Sequence, residues 1–170
     1  MGSSDGRNYE DVRSYTLSDE REEELLDRQT ECTFMWTTKA GEPVGVIMNF
    51  VARDGRIWLT LASQRKRVAA IRRDPRVAIA ITSKGSGITT SRTVTYKGSA
   101  VIHEDAETKA WFYPALAARV RPGEPDKQAA FASFLDSPER LVLEVLPTAR
   151  IGFDSEAMWA ATPEAAPDDH

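Results

Sequence analysis

Short stretches of alternating apolar and polar residues, separated by turn-forming residues, fill most of the chain. They predict strands at residues 33–38, 44–52, 57–61, 76–82, 92–103 and 141–146. Residues 151–153 are expected to continue the last strand beyond Pro147. The run at 76–82 is apolar on both faces, which indicates a strand in the middle of a sheet.

Turn residues stand between these strands. Gly41 is expected to adopt a left-handed conformation ahead of the second strand. The pair Asp54-Gly55 is a strong hairpin signal. Gly98, inside the long strand at 92–103, predicts a β-bulge. Successive strands are therefore expected to pair as antiparallel neighbours.

Helical segments interrupt the strands. Ser18 is the expected N-cap of a first helix, which turns Leu25 and Leu26 towards the core. A short helix is expected to follow the third strand and to end at Asp74-Pro75. Residues 105–118 and 126–135 predict a helical insertion between the fifth and sixth strands.

The order of these elements predicts a mainly β fold: a small barrel of about six antiparallel strands with a crossover helix and a helical insertion. The chain of 170 residues fits one domain of this kind. We place that domain at residues 17–161, after a flexible N-terminal arm at 1–16 and before a loose C-terminal tail at 162–170.

Composition narrows the classes of function. The net charge of -4 and the pI near 5.3 argue against general binding of nucleic acid. A single cysteine, Cys32, allows no internal disulfide. No apolar run approaches the length of about 20 residues that spans a membrane, and the first residues carry no apolar signal-peptide segment. We expect a cytoplasmic protein with no membrane partner.

The most informative feature is a basic cluster at the start of the crossover helix. Arg65, Lys66 and Arg67 follow the strand at 57–61, and Thr60 and Ser63 supply small polar groups beside them. Cations oppose the helix dipole at this end, where free backbone N–H groups favour anions. The cluster predicts a phosphate site, with a solvated helix face as the alternative.

Other chemistries find less support in the residues. Arg72 and Arg73 lie at the opposite end of the same helix, where the dipole favours cations and no ligand is required. The basic segment lacks the interleaved aromatic residues that stack on nucleic-acid bases. His103, His170 and Cys32 have no metal-ligand spacing. No side chain stands out as a catalytic acid or base, and the catalytic residues stay unassigned.

The chain resembles the pyridoxamine 5′-phosphate oxidase-like, flavin-binding split-barrel proteins over residues 20–155. The resemblance rests on the order and spacing of several segments, each weak alone. These are Gly41-Glu42-Pro43, Ile57-Trp58-Leu59-Thr60, Ser63 to Arg67, Ile71 to Val77, Leu141 to Pro147, and Ile151-Gly152-Phe153-Asp154.

The resemblance implies a homodimer with FMN at the subunit interface. It implies phosphate contacts from Lys66 and Arg67, with Arg65, Ser63 and Thr60 close by. The flavin ring would lie along the second strand, contacted mainly by backbone at Val44, Gly45, Val46 and Ile47. Arg92 and Thr93 fall where a partner subunit reaches the flavin.

The sequence also departs from pyridoxamine phosphate oxidases. Val44 stands where they place an arginine at the start of the ring-binding strand, and their C-terminal arginine and histidine pattern has no match. The chain looks more like a branch in which some members use a deazaflavin of the F-420 type. Hydride transfer between either cofactor and a small organic substrate is the implied activity. The alternative is a non-enzymatic carrier or sensor of flavin or haem, with His103 the one internal haem ligand.

Overall fold

Seven β-strands form one curled sheet in the computed structural model, which describes residues 12–167. The strands are β1 (Glu31–Thr37), β2 (Pro43–Asn49), β3 (Val51–Arg53), β4 (Arg56–Ala62), β5 (Arg76–Thr82), β6 (Arg92–His103) and β7 (Arg140–Asp154). Every pairing is antiparallel, in the order β2-β1-β5-β6-β7-β4-β3. The predicted mainly β class is confirmed, and β5 is an inner strand as predicted.

Five α-helices accompany the sheet in the described range: α1 (Asp19–Arg28), α2 (Lys66–Arg73), α3 (Ala106–Val120), α4 (Pro125–Leu135) and α5 (Ser155–Ala161). The first four match the predicted helices to within a few residues. Helix α5 was not predicted. Short 3-10 turns lie at Val12–Ser14 and Pro163–Ala165, the latter within the predicted loose tail. None of the helices between residues 12 and 167 is long and apolar enough to cross a membrane.

The two edges of the sheet meet at Phe50. Strands β2 and β3 are the outermost strands, yet only Phe50 separates them in sequence. Phe50 is fully buried, and its N–H donates to the carbonyl of Thr30 at 3.2 Å. One long strand at 44–52 was therefore wrong: the chain bends at Phe50 and passes from one sheet edge to the other. The sheet is thereby curled into a barrel with a seam between β2 and β4.

The predicted turns are confirmed by backbone conformation. Gly41 has a φ of 85°, and Asp54 and Gly55 have φ values of 53° and 71° in the β3–β4 hairpin. The β6–β7 register shifts between Lys97 and Gly98, as expected for a bulge. These turns fix the pairing of neighbouring strands and hence which face of each strand fills the barrel.

Helix α1 closes one end of the barrel. The Ser18 side chain accepts a hydrogen bond from the Arg21 N–H at 3.3 Å, as a helix N-cap does. Leu25 is the one residue of α1 that is fully buried. Arginine–carboxylate pairs connect the helix to the strands: Arg92–Glu24 at 2.5 Å, Arg21–Asp154 at 2.5 Å and Arg150–Glu22 at 2.7 Å.

The residues just before α1 also pack on the barrel. Tyr15 and Leu17 are buried, and the Tyr15 carbonyl accepts a hydrogen bond from the Asp154 N–H at 2.7 Å. The rest of the predicted N-terminal arm, residues 1–11, lies outside the described residues.

The helical insertion α3–α4 covers the outer face of β4 and β7 and makes a second apolar core. Its buried members are Val51, Phe112, Tyr113, Leu116, Leu135 and Val142. This packing brings α3 against the strand end that leads into α2.

Candidate functional site

The first turn of α2 carries positive charge and no counter-charge. Arg65 is the N-cap, and Lys66 and Arg67 are the first two helical residues. The N-cap makes no side-chain hydrogen bond to the helix, and the first turn holds no acidic residue. Within the described residues, none of the three cations forms an ion pair, so the positive charge at this helix end is not paired inside the chain.

Arg67 is the member of the cluster held in place. Its guanidinium carbon lies 6.0 Å from the centre of the Trp36 ring, at cation–π range. Its Nε is buried and has no hydrogen-bond partner among residues 12–167. Burial lowers the pKa of Arg67, and the positive charges of Arg65 and Arg140 lower it further. A buried donor among like charges favours an anionic ligand.

The other end of α2 is different. The Arg72 guanidinium pairs with Glu104 at 2.8 Å, and Arg73 donates to the Thr37 carbonyl at 3.1 Å. Both cations have partners within the chain, in keeping with the interpretation that neither requires a ligand.

An open groove lies between the basic helix start and Trp36 of β1. Trp36, Gln64 and the three cations Arg65, Lys66 and Arg67 line it. Trp36 on β1 is paired directly with Val44 on β2. The structure therefore brings the start of β2 next to the cluster, although more than 20 positions separate them in sequence.

The barrel seam runs into the same region. Among the described residues, β2 is paired only with β1. The short strand β3 pairs with β4 only from Arg56 to Trp58. In the described part of the chain, one edge of β2 and, at residues 59–62, the edge of β4 that faces away from β7 have no strand partner. Both edges present backbone N–H and C=O groups beside the first turn of α2.

The remaining β2 residues are placed on alternate faces. Val46 lies opposite Phe34 and is half-buried, whereas Gly45 and Ile47 are exposed. A Cβ on Gly45 would lie 3.2 Å from the side chains of Met35 and Thr33. The Ile47 side chain is 63% exposed, which is unusual for isoleucine.

The hydroxyls of Thr60 and Ser63 are already used within the chain. Thr60 Oγ1 donates to the Leu141 carbonyl at 2.9 Å. Ser63 Oγ donates to Glu139 Oε2 at 2.8 Å, and the Ser63 N–H donates to the Glu139 carbonyl at 2.8 Å. These bonds fix the β4–α2 loop, and the exposed Lys66 side chain extends from it.

Arg92 and Thr93 lie at the other end of the barrel. Thr93 is paired with Thr82, at the end of β5, whereas α2 leads into the start of β5 at Arg76. Seven residues of strand, about 20 Å, separate the two ends. The buried Arg92 guanidinium pairs with Glu24. Within one chain these residues do not join the cluster, so their contact with a partner's cofactor stays a prediction.

The structure adds two residues that sequence reasoning missed. Arg140, the first residue of β7, is paired with Ala62, the last residue of β4. Tyr113 of α3 is 1% exposed, and its hydroxyl has no hydrogen-bond partner in the described part of the chain. Trp36 of β1 also lines the groove, and nothing in the sequence distinguishes it from the other three tryptophans. No sequence signal placed any of the three near residue 65, because strand register and helix packing bring them there.

His103 is engaged on both ring nitrogens. Nε2 lies 2.7 Å from Glu144 Oε2, and Nδ1 lies 3.6 Å from Asp105 Oδ2. Glu144 also pairs with Arg56. No group of three histidine, cysteine, aspartate or glutamate side chains able to hold a metal ion occurs among the described residues.

Comparison with known proteins identifies the family. Residues 18–148, more than half of the chain, match the profile of the family described as pyridoxamine 5′-phosphate oxidase. No curated protein matches the chain.

Three solved structures share the fold. A conserved hypothetical protein from Mycobacterium tuberculosis is 20% identical, with 85% of this chain and 89% of that chain covered and a TM-score of 0.74. A protein described as an F420 reductase is 23% identical, with 76% and 94% covered and a TM-score of 0.58. HutZ, described as a haem storage protein from Vibrio cholerae, is 12% identical, with 82% and 95% covered and a TM-score of 0.58. Together with the seam in the curled sheet, the profile match shows that this chain belongs to the pyridoxamine 5′-phosphate oxidase family and folds as a split β-barrel.

Proposed function

We propose that the protein is an oxidoreductase that binds FMN, or a deazaflavin of the F-420 type, in the groove between α2 and β2. The observation that carries the proposal is Arg67: its buried Nε has no hydrogen-bond partner among the residues that the structure describes, and it lies at a helix start with three successive cations and no side-chain cap. Both cofactors carry a phosphate on a ribityl chain. A phosphate there would satisfy the helix N–H groups and the guanidinium together.

The groove and the neighbouring strand offer partners for both parts of such a cofactor. Lys66 and Arg67, with Arg65 beside them, would hold the phosphate. The unpaired edge of β2 would provide backbone hydrogen bonds to the ring from Val44 to Ile47. When bound, the cofactor supplies hydride transfer to or from a small organic substrate, and the protein contributes orientation and exclusion of water.

A homodimer accompanies the proposal. The row Ile47, Thr33, Ala80, Thr95 and Ile151 crosses five strands on the outer face of the sheet. It holds no charge, and its two isoleucines at the ends are 63% and 58% exposed. An uncharged row of this kind, with exposed isoleucines at both ends, suits a second copy of the chain, which would complete the groove from outside.

The alternative is a carrier or sensor on the same barrel. Haem fits the described residues less well than flavin, because His103 Nε2 already lies at hydrogen-bond distance, 2.7 Å, from the buried Glu144 carboxylate. A flavin carrier without turnover shares the site, so it is separated from the enzyme by assay rather than by geometry.

Titration of the purified protein with FMN and with the deazaflavin, followed by cofactor fluorescence, tests the proposal. Each charge-assisted phosphate contact contributes about 1.5–3 kcal/mol, so replacing both Lys66 and Arg67 with alanine should raise Kd about 100- to 10,000-fold. Arg72→Ala is the matched control, since it removes a cation from the same helix, and it should leave Kd within about twofold.

The outcomes separate the hypotheses. Binding of neither cofactor at micromolar concentration refutes the proposed function. Equal losses at Lys66/Arg67 and at Arg72 refute the phosphate assignment. Tight binding without reduction or oxidation of any test substrate supports the carrier, and a Soret band with haem that persists in His103→Ala excludes His103 as the haem ligand.

A further inference from the structure

Arg140 stands directly across the sheet from the end of β4. Its Cα partner is Ala62, and its N–H donates to the Ser137 carbonyl at 3.0 Å. Side chains of directly opposed residues share one face and begin about 5 Å apart. Ala62 lies three positions before Arg65, the N-cap of α2. Arg140 therefore projects from β7 beside the loop that leads into the basic helix start.

The positive charge of Arg140 acts on two groups near the basic helix start, Arg67 and Tyr113. It lowers the pKa of Arg67. It also acts on the Tyr113 hydroxyl: burial raises the pKa of that group, the nearby Thr60 side chain and the positive charge of Arg140 lower it, and the negative charge of Asp136 raises it. Arg140 thus lies between the helix start and α3, close enough to both to influence them.

Arg140 has no ion-pair partner between Val12 and Pro167. The nearest acidic residue in sequence, Glu139, accepts the Ser63 hydroxyl instead. Like charges that converge without a carboxylate destabilise a folded chain unless something negative binds between them. Arg65, Arg67 and Arg140 have no ion pair within residues 12–167, although the Glu139 carboxylate accepts the Ser63 hydroxyl nearby and Asp136 acts on the same Tyr113 hydroxyl as Arg140.

We propose that Arg140 is a further phosphate-binding residue, which contacts the cofactor phosphate from the β7 side while Lys66 and Arg67 contact it from α2. This inference rests on the proposed function. Under this proposal Arg140 recognises the phosphate of the cofactor and not its ring. The competing explanation is structural: Arg140 would simply cover the buried ring of Tyr113.

Flavins with and without the phosphate distinguish these two roles. FMN and riboflavin differ only in that group, so the ratio of their Kd values isolates the phosphate contribution. In Arg140→Gln, Kd for FMN should rise about 10- to 100-fold, while Kd for riboflavin should change by no more than about twofold. Arg140→Lys keeps the positive charge but loses the two-pronged set of guanidinium donors. Its Kd for FMN should therefore lie between the values of the wild type and of Arg140→Gln. Arg72→Gln is the control for removal of one positive charge.

Each result has one meaning. An equal loss for FMN and riboflavin in Arg140→Gln, or no loss for either, overturns the proposal and assigns Arg140 to structure. A thermal midpoint measured for each variant shows whether the fold is intact, and Arg140→Lys carries the test if Arg140→Gln does not fold. If the wild type binds only the deazaflavin, the same comparison uses that cofactor and its phosphate-free chromophore. If the wild type shows no preference for the phosphorylated form of either, the proposed function fails with the inference.

Discussion

Gly98 provides the sharpest test of the barrel geometry. At the β6–β7 bulge, a Cβ added to Gly98 would lie 2.1 Å from the Leu146 carbonyl oxygen, 2.8 Å from its carbon and 3.1 Å from the Pro147 Cα. All three atoms belong to the backbone of the neighbouring strand. Gly98→Ala therefore cannot be accommodated by a side-chain rotation, and the two strands must separate.

The expected cost is large for a single methyl group. Overpacking that displaces side chains costs about 1–3 kcal/mol, and a clash with backbone belongs at or above the top of that range. For a chain of this size, about 3 kcal/mol corresponds to a drop in Tm of about 6–12 °C. Thermal unfolding followed by circular dichroism, with urea unfolding for the free energy, measures both quantities.

Gly45→Ala is the matched control. Gly45 is also a strand glycine, but its added Cβ would meet only side-chain atoms of Met35 and Thr33, at 3.2 Å. We expect a change within about 1 kcal/mol, since alanine also restricts the unfolded chain. A loss below about 1 kcal/mol in Gly98→Ala, or equal losses in the two variants, would refute the geometric reasoning.

Two further predictions concern the core and the outer face. Burial raises the pKa of the Cys32 thiol to about 12, so we expect no labelling by iodoacetamide at about pH 8 in the folded protein and rapid labelling in urea. Fast labelling of the folded protein would contradict the burial. Because the pKa of this thiol is higher in the folded state, the contribution of Cys32 to the free energy of folding is complete below the unfolded thiol pKa of about 8.5. That contribution is lost as the pH rises towards 12. Ile151→Glu places a charge in the proposed dimer face and should convert the sedimenting species from dimer to monomer, whereas an unchanged mass would exclude that face as the interface.

Local chemistry in the sequence was sufficient for the turns and for the basic cluster. Asp54-Gly55 predicts its hairpin because few other residues tolerate positive φ at both positions. Gly98 predicts its bulge because a strand interior rarely holds glycine without a close backbone approach. The charges of Arg65 to Arg67 oppose the helix dipole whatever the tertiary structure, so their unusual position is visible in the sequence.

The features that were missed depend on distant contacts. Nothing within residues 44–52 signals the bend at Phe50, because that bend results from the closure of the sheet rather than from a glycine or proline. Helix α5 has only seven residues and begins directly at the end of β7, where Asp154 accepts a hydrogen bond from the Glu156 N–H at 3.0 Å. Arg140 lies beside the basic helix start because β7 pairs with β4 and places it opposite Ala62, which is 78 positions earlier in the chain. The periodicity of a sequence does not show which distant strands pair.

Helix α1 is attached to the barrel partly by ion pairs, so this end of the barrel responds differently to salt and to pH from the apolar interior. The barrel interior is held by apolar burial, which added salt does not weaken. Helix α1 buries one leucine completely, and two of its arginine–carboxylate pairs, Arg92–Glu24 and Arg150–Glu22, have carboxylates that are partly exposed. Arg92 lowers the pKa of Glu24 by hydrogen bonding, so this tie is present above the ordinary glutamate range and is lost as the pH falls. Ionic strength and acid therefore weaken these ties of α1 more than they weaken the apolar packing of the strands.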